Sequence, residues 1–247
     1  MKDILHPLKR PGALCLAWLA LTAASPAATT ADRIADLLEA GKPIEAFALA
    51  QQKAGEGDPE GDFALGWFYG TGEHLTADKP KAAEHFRKCA EAGLSQCQFQ
   101  LGVMLDTGDG VAEDPAAAFA WLSKAAAQGD VRAQTSLAVM HANGRGTPVD
   151  FAKAMQLYEG AARKGDAQGF YGIGVLHFLG QGVPADGETA VAWFSVAAAL
   201  DDEKGREMAD RLLANQKNEV LDRVVAKANA LYAEYIGPLL PPAPKAP

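Results

Sequence analysis

Leu65, Leu101, Leu137 and Ile173 stand 36 residues apart, and whole columns of residues repeat with them. The next position is Gly66, Gly102, Ala138 and Gly174. Seven past each anchor stand Gly72, Gly108, Gly144 and Gly180; nine past it, His74, Gly110, Gly146 and Gly182. Thirteen past it stand Asp78, Asp114, Asp150 and Asp186. Phe86, Leu122, Tyr158 and Phe194 follow, then Ala90, Ala126, Ala162 and Ala198, and Gly93, Gly129 and Gly165 close the first three units. No gap is needed to align them. A period of this length restricts the chain to arrays in which each unit buries its apolar face against its neighbours.

Each unit reads as two helices. The first, helix A, stops at the first Gly of the Gly-x-Gly turn, because glycine takes the left-handed conformation that ends a helix. The Asp caps the second, helix B, by accepting a backbone N–H. Asp114 is followed by Pro115, a favoured first helical residue. The small residues beside each anchor, and the Ala pairs, let backbones approach closely. Residues 28–60 form an N-terminal helical cap, with helical stretches at Ala31–Glu39 and Ile44–Lys53. Residues 203–236 form a C-terminal cap of two amphipathic stretches, as a solenoid needs at its ends. Residues 237–247 are a proline-rich tail, expected to be extended from Pro238 onward.

At these residues the chain resembles the Sel1-like repeat family, a relative of the tetratricopeptide arrays. Leu65-Gly66-x-x-Tyr69 and Leu101-Gly102 match the start of that family's pattern. Gly108-x-Gly110-Val111 and Gly180-x-Gly182-Val183 match its turn, and Trp121 and Trp193 its helix B tryptophan. Lys124-Ala125-Ala126 matches its end. Departures are His74 for the second turn glycine, His85 and Leu157 at the tryptophan position, and Asp201 for the closing glycine. Four units span residues 61–202. The resemblance implies an all-α fold: a right-handed α-solenoid of helix-turn-helix repeats with helical caps. It also implies binding of other proteins as a scaffold or regulatory adaptor.

Residues 1–27 read as an address. Lys2, Lys9 and Arg10 precede an apolar run from Ala13 to Leu21 and then small residues, the order of a secretory signal peptide. A cut after Ala27 fits its small-residue rule. A membrane anchor is the other reading, but the run is shorter than the ~20 residues a span needs. The expected location is periplasmic or secreted, with no stable membrane insertion after cleavage. The mature chain then carries 20 basic and 30 acidic residues, which argues against a nucleic-acid partner.

Cleavage leaves two cysteines, Cys89 and Cys97, across the turn between the first two units. An even pair in an exported chain suggests a disulfide. The same spacing in the cysteine-rich branch of the Sel1 family implies one too; two small buried thiols are the alternative.

No catalytic constellation emerges. His-Glu-x-x-His, Gly-x-Ser-x-Gly and the Walker loop are all missing from the sequence. No cofactor and no metal site is expected. His141 and His177 share one column with Tyr69 and Leu105, which reads as a core position rather than a metal or proton site. Some cysteine-rich Sel1 proteins bind or weakly hydrolyse β-lactams. Here the nearest trace of a Ser-x-x-Lys motif is Thr76-x-x-Lys79, placed in a turn. A cell-wall glycan binder rests on the aromatic residues alone.

The stronger signal is a surface. Positions two before, two after and six after each anchor lie opposite the main core stripe of helix A. They hold Phe63, Trp67 and Thr71; Phe99, Val103 and Thr107; Thr135, Val139 and Asn143; Tyr171, Val175 and Leu179. By resemblance, helix A lines the concave side, where an apolar stripe suits a peptide or helix of another envelope protein. Packing against neighbouring helices is the competing reading.

Overall fold

The structure, a computed structural model, describes residues 28–214 and 216–240. The signal-peptide reading of residues 1–27 and the tail from 241 onward lie outside the described residues. Among the described residues the regular structure is helical throughout: α1 (Thr30–Glu39), α2 (Pro43–Gly55), α3 (Pro59–Thr71), α4 (Lys79–Glu91), α5 (Ser95–Thr107), α6 (Pro115–Ala127), α7 (Val131–Asn143), α8 (Phe151–Ala162), α9 (Ala167–Leu179), α10 (Gly187–Ala199), α11 (Glu203–Leu213) and α12 (Asn218–Tyr235). No described helix is long and apolar enough to cross a membrane. The chain divides into two compact units, one ending at Ala133 and the other beginning at Gln134.

In the N-terminal unit, α3–α4 and α5–α6 are the first two helix pairs. Helices α3 and α5 end on Gly72 and Gly108, whose φ angles of 69° and 72° are left-handed. Helices α4 and α6 begin under the carboxylates of Asp78 and Asp114, which accept the N–H groups of Lys81 and Ala117. The same aspartates close the turn with their own backbone: Asp78 N–H donates to the Tyr69 carbonyl at 2.9 Å and Asp114 N–H to that of Leu105 at 2.8 Å. Each pair is held by a large side chain of helix B seated on a glycine of helix A. A Cβ at Gly66 would stand 2.6 Å from the Phe86 ring, and one at Gly102 would stand 2.7 Å from Leu122. Phe68, Leu101 and Leu122 are fully buried around these seats.

Between pairs, a second small-residue site brings helix A across the end of the preceding helix B. A methyl at Gly61 would overlap the backbone of Lys53 and Ala54. One period later that place is taken by Cys97, joined to Cys89 by a disulfide with a Cα–Cα distance of 5.8 Å. Gln128 adds a polar tie, donating to the Gly93 carbonyl at 3.0 Å and to the Gln98 side chain at 2.8 Å.

The C-terminal unit repeats this plan. Asp150 and Asp186 donate their N–H groups to the carbonyls of His141 and His177. A Cβ at Gly174 would meet the Phe194 ring at 2.6 Å, and one at Gly169 would meet Ala162 and Tyr158 backbone atoms at 2.7 Å. Asp201, in the place of the closing glycine, adopts φ 67°, as the column requires; aspartate is among the few residues that tolerate this at modest cost. The frame also runs on past the fourth unit. Asp202 caps Gly205 as Asp166 caps Gly169, one period earlier, so α11 occupies the register of a fifth helix A. Phe170, Trp193 and Tyr235 pack ring on ring, with centroids 5.3–5.8 Å apart. The tail is not extended where it was expected to begin: Gly237–Leu239 form a 3-10 turn, and Leu239 lies over Gly165, within 3.1 Å of where a Cβ would stand. Apolar contact there outweighs the extended preference of a proline-rich segment.

Candidate functional site

Helix A is covered on nearly every side, so little of it is left to meet a partner. In α3, Gly61, Asp62, Ala64, Leu65, Gly66 and Phe68 are buried. Phe63 and Trp67 are half-buried and Thr71 is exposed. In α5 Phe99 and Val103 are again half-buried and Thr107 exposed, with Gln96 exposed and Gln100 half-buried as well. The Thr71 and Thr107 hydroxyls donate to the Trp67 and Val103 carbonyls at 3.1 and 2.9 Å. The inner edges of the rings reach the core: Phe63 stands 6.2 Å from Phe86, and Trp67 lies edge-on to Phe68 at 5.3 Å. Arg132 lays its guanidinium 4.4 Å from the Phe99 ring while pairing with Asp130 at 2.8 Å.

In the C-terminal unit the same positions diverge. Val139 is 46% exposed and Leu179 55% exposed, with Asn143 exposed beside them in sequence register. Tyr171 and Val175 are half-buried and pack against Val191, Phe194 and Val224 together with Met208 of α11 and Val220 of α12; the Tyr171 and Phe194 rings are 5.4 Å apart. Thr135, expected on the surface, is only 3% exposed. It lies in the first half of α7, where side chains lean back toward the helix start, and it is too short to emerge as Phe63 and Phe99 do.

The remaining polar groups have local duties. His85 Nδ1 stands 2.8 Å from Asp62 Oδ1, and its ring stacks on Tyr69 with centroids 5.7 Å apart. Sequence reasoning noted His85 only as a departure. The signal for the pair was in the columns: positions 62 and 85 are polar where the fourth repeat holds Phe170 and Trp193. The His177 imidazole has its Nδ1 buried without a hydrogen-bond partner, and burial lowers its pKa. Lys79, of the Thr76-x-x-Lys79 trace, pairs with Asp109 at 2.8 Å. Among the described residues, no group of three or more His, Cys, Asp or Glu could hold a metal ion.

A cleft of about 490 Å³ opens among α10, α11 and α12 over Val191, Leu212, Leu213, Val220 and Val224, with Asp186 and Glu188 at its edge. Both carboxylates are already engaged. Glu188 pairs with Arg223. Asp186 takes hydrogen bonds from the Thr189 side chain and backbone, which hold its pKa down at about 2, with Lys227 adding to the effect.

The model of the Sel1 repeat matches residues 59–94, 95–130, 131–166 and 167–202. The crystal structure of a Sel1 repeat protein from Oxalobacter formigenes is similar at a TM-score of 0.68 and 28% identity, over 81% of this chain and 84% of that one. So is c5321, a protective antigen present in uropathogenic Escherichia coli strains and displaying an SLR fold, with a TM-score of 0.64 and 26% identity over 75% of this chain. The match spans 41% of that protein's own length. No curated protein matches the chain.

Proposed function

The chain belongs to the Sel1 repeat family, and from that premise we propose that it is an exported scaffold or regulatory adaptor that binds another protein or peptide of the cell envelope. The observation that carries the reading is the stripe on α3 and α5. Phe63, Trp67, Phe99 and Val103 stay half-open in successive repeats, on helices whose other large apolar side chains, Leu65, Phe68, Leu101, Met104 and Leu105, are buried. Aromatic and branched side chains held on a rigid frame are the usual anchors of an interface. Val139, Asn143, Tyr171 and Val175 extend the candidate set in the C-terminal unit, where Val139 and Asn143 are the more accessible. Export is supported by the order of residues 1–27 and by the Cys89–Cys97 bond, since disulfides persist in oxidising compartments.

Crosslinking in intact cells, capture of the tagged chain and mass spectrometry form the test, with a Trp67→Ala, Val139→Asp variant alongside. An envelope protein enriched by the native chain and lost with the variant is the expected result. Equal enrichment by both would move the site elsewhere. Fractionation and N-terminal sequencing test export: a mature chain starting near Ala28 outside the cytoplasm is expected, and an intact Met1 in the cytoplasm overturns that part.

A further inference from the structure

The charges of the N-terminal unit are sorted by helix type. Helices α1, α3 and α5 carry six acidic residues, Asp32, Asp36, Glu39, Glu60, Asp62 and Asp106, against the single basic Arg33. Helices α2, α4 and α6 carry six basic residues, Lys81, Arg87 and Lys88 among them, against three acidic ones. Asp62 is engaged by His85, whereas Asp36 and Glu39 stand exposed on α1, which packs against α3. The helices that bear the apolar stripe, α3 and α5, thus carry three acidic residues and no basic one; Glu60 accepts the Ala31 N–H, and the exposed Asp36 and Glu39 are added by α1 beside α3. The C-terminal unit has no such sorting. Helix α9 carries no Asp, Glu, Lys or Arg, and α11 carries three acidic and three basic residues.

Building on the scaffold reading, we propose that the stripe of Phe63, Trp67, Phe99 and Val103 docks a cationic polypeptide segment, one that combines Lys or Arg with apolar anchors. The apolar side chains give such a segment its seat, and the acidic helices give it attraction and orientation. The unit already contains one example of the contact. Arg132 rests 4.4 Å from the Phe99 ring with Asp130 holding its guanidinium, so an aromatic ring of this stripe meets a cation beside a carboxylate. A guanidinium or ammonium over an aromatic face is favourable in its own right, and the surrounding negative field speeds encounter and rejects acidic competitors.

The test uses the full mature chain and three fluorescein-labelled 12-residue peptides. They share two Leu and one Phe in a Ser background and differ in carrying four Lys, four Gln or four Glu. Anisotropy should show the Lys peptide binding about tenfold tighter than the Gln peptide and the Glu peptide weakest, an advantage that shrinks severalfold between low and high salt. Trp67→Ala, and separately Asp36→Lys with Glu39→Lys, should each weaken the Lys peptide about fivefold, while Lys81→Glu with Lys88→Glu on the opposite helix type should leave it within about twofold. Circular dichroism melts verify that each variant is folded. Equal binding of the Lys and Gln peptides, or an equal loss from both charge-reversal pairs, overturns the proposal. If no peptide binds while crosslinking still returns a partner that Trp67→Ala loses, the scaffold reading stands and the cationic occupant is wrong. If both experiments are blank, both readings fall.

Discussion

The first and fourth repeats fill the same two places with opposite chemistry. In the first, Asp62 of α3 meets His85 of α4 at 2.8 Å; in the fourth, Phe170 of α9 meets Trp193 of α10 with ring centroids 5.8 Å apart. The junction before helix A differs between the second repeat and the others: Cys89 and Cys97 are bonded covalently, where the fourth repeat brings Gly169 against Ala161 and Ala162 and the first brings Gly61 against Lys53 and Ala54. The backbone frame is common to both ends, so what the frame demands is contact at fixed places, not a fixed kind of contact. Where the array is closed by α11 and α12, aromatic burial suffices. In the first repeat a polar pair stands in its place.

Trp193→Ala should cost about 3–5 kcal/mol, as for other buried aromatics, read from urea or thermal unfolding. His85→Ala should cost about 1–3 kcal/mol by leaving the Asp62 carboxylate buried without its partner. The double change Asp62→Phe with His85→Trp installs the fourth repeat's pair in the first and should be neutral or stabilising, as is common when a buried polar pair is replaced by apolar groups of suitable volume. A large loss from the double change would mean that the two seats differ in shape as well as in chemistry.

The junctions give a smaller effect. Closing so short a loop is worth about 2.5 kcal/mol at most. Cys89→Ala with Cys97→Gly, which copies the fourth repeat's junction, should lower the melting temperature in oxidising buffer and make it insensitive to dithiothreitol. The native chain should fall to the same level when reduced. A native melt unchanged by reduction would show that the junction is already held by its other contacts, among them the Gln98 side chain donating to the Ala90 carbonyl.

The smallest effect is a pH dependence carried by His177 of the C-terminal unit. Burial lowers the pKa of His177 below its ordinary value of 6.5, so the unfolded chain takes up the proton more readily. The stability tied to neutral His177 is therefore complete above about pH 6.5 and lost as pH falls below it. His177→Leu, which places the residue of Leu105 in the same column, should flatten the fall in stability between about pH 7 and 5. An unchanged slope would assign the pH dependence to other groups.

The repeat frame was legible because it is written in residues whose duty is local. Gly72 and Asp78 act within one turn, and a column of such residues needs no knowledge of what lies across the fold. Asp201 shows the reach of this logic, since the frame forced it into a left-handed conformation that glycine would take freely. The column of Tyr69, Leu105, His141 and His177 shows the converse. Its shared duty is a backbone carbonyl that receives the Asp N–H, which leaves the side chain free to vary.

By itself, then, the sequence determined the period, the helix ends, the pairing of helices within a repeat and the family, since each depends on contacts a few residues to one period apart. Which apolar positions of helix A stay open depends on the helices packed across it. Tyr171 and Val175 follow the same pattern as Phe63 and Trp67, yet α11 and α12 bring Met208 and Val220 into the cluster where they pack. Likewise Asp62 and His85, 23 residues apart, became a pair only when two helices were laid side by side. Exposure belongs to the assembled neighbours of a residue, and periodicity along one helix carries no record of them.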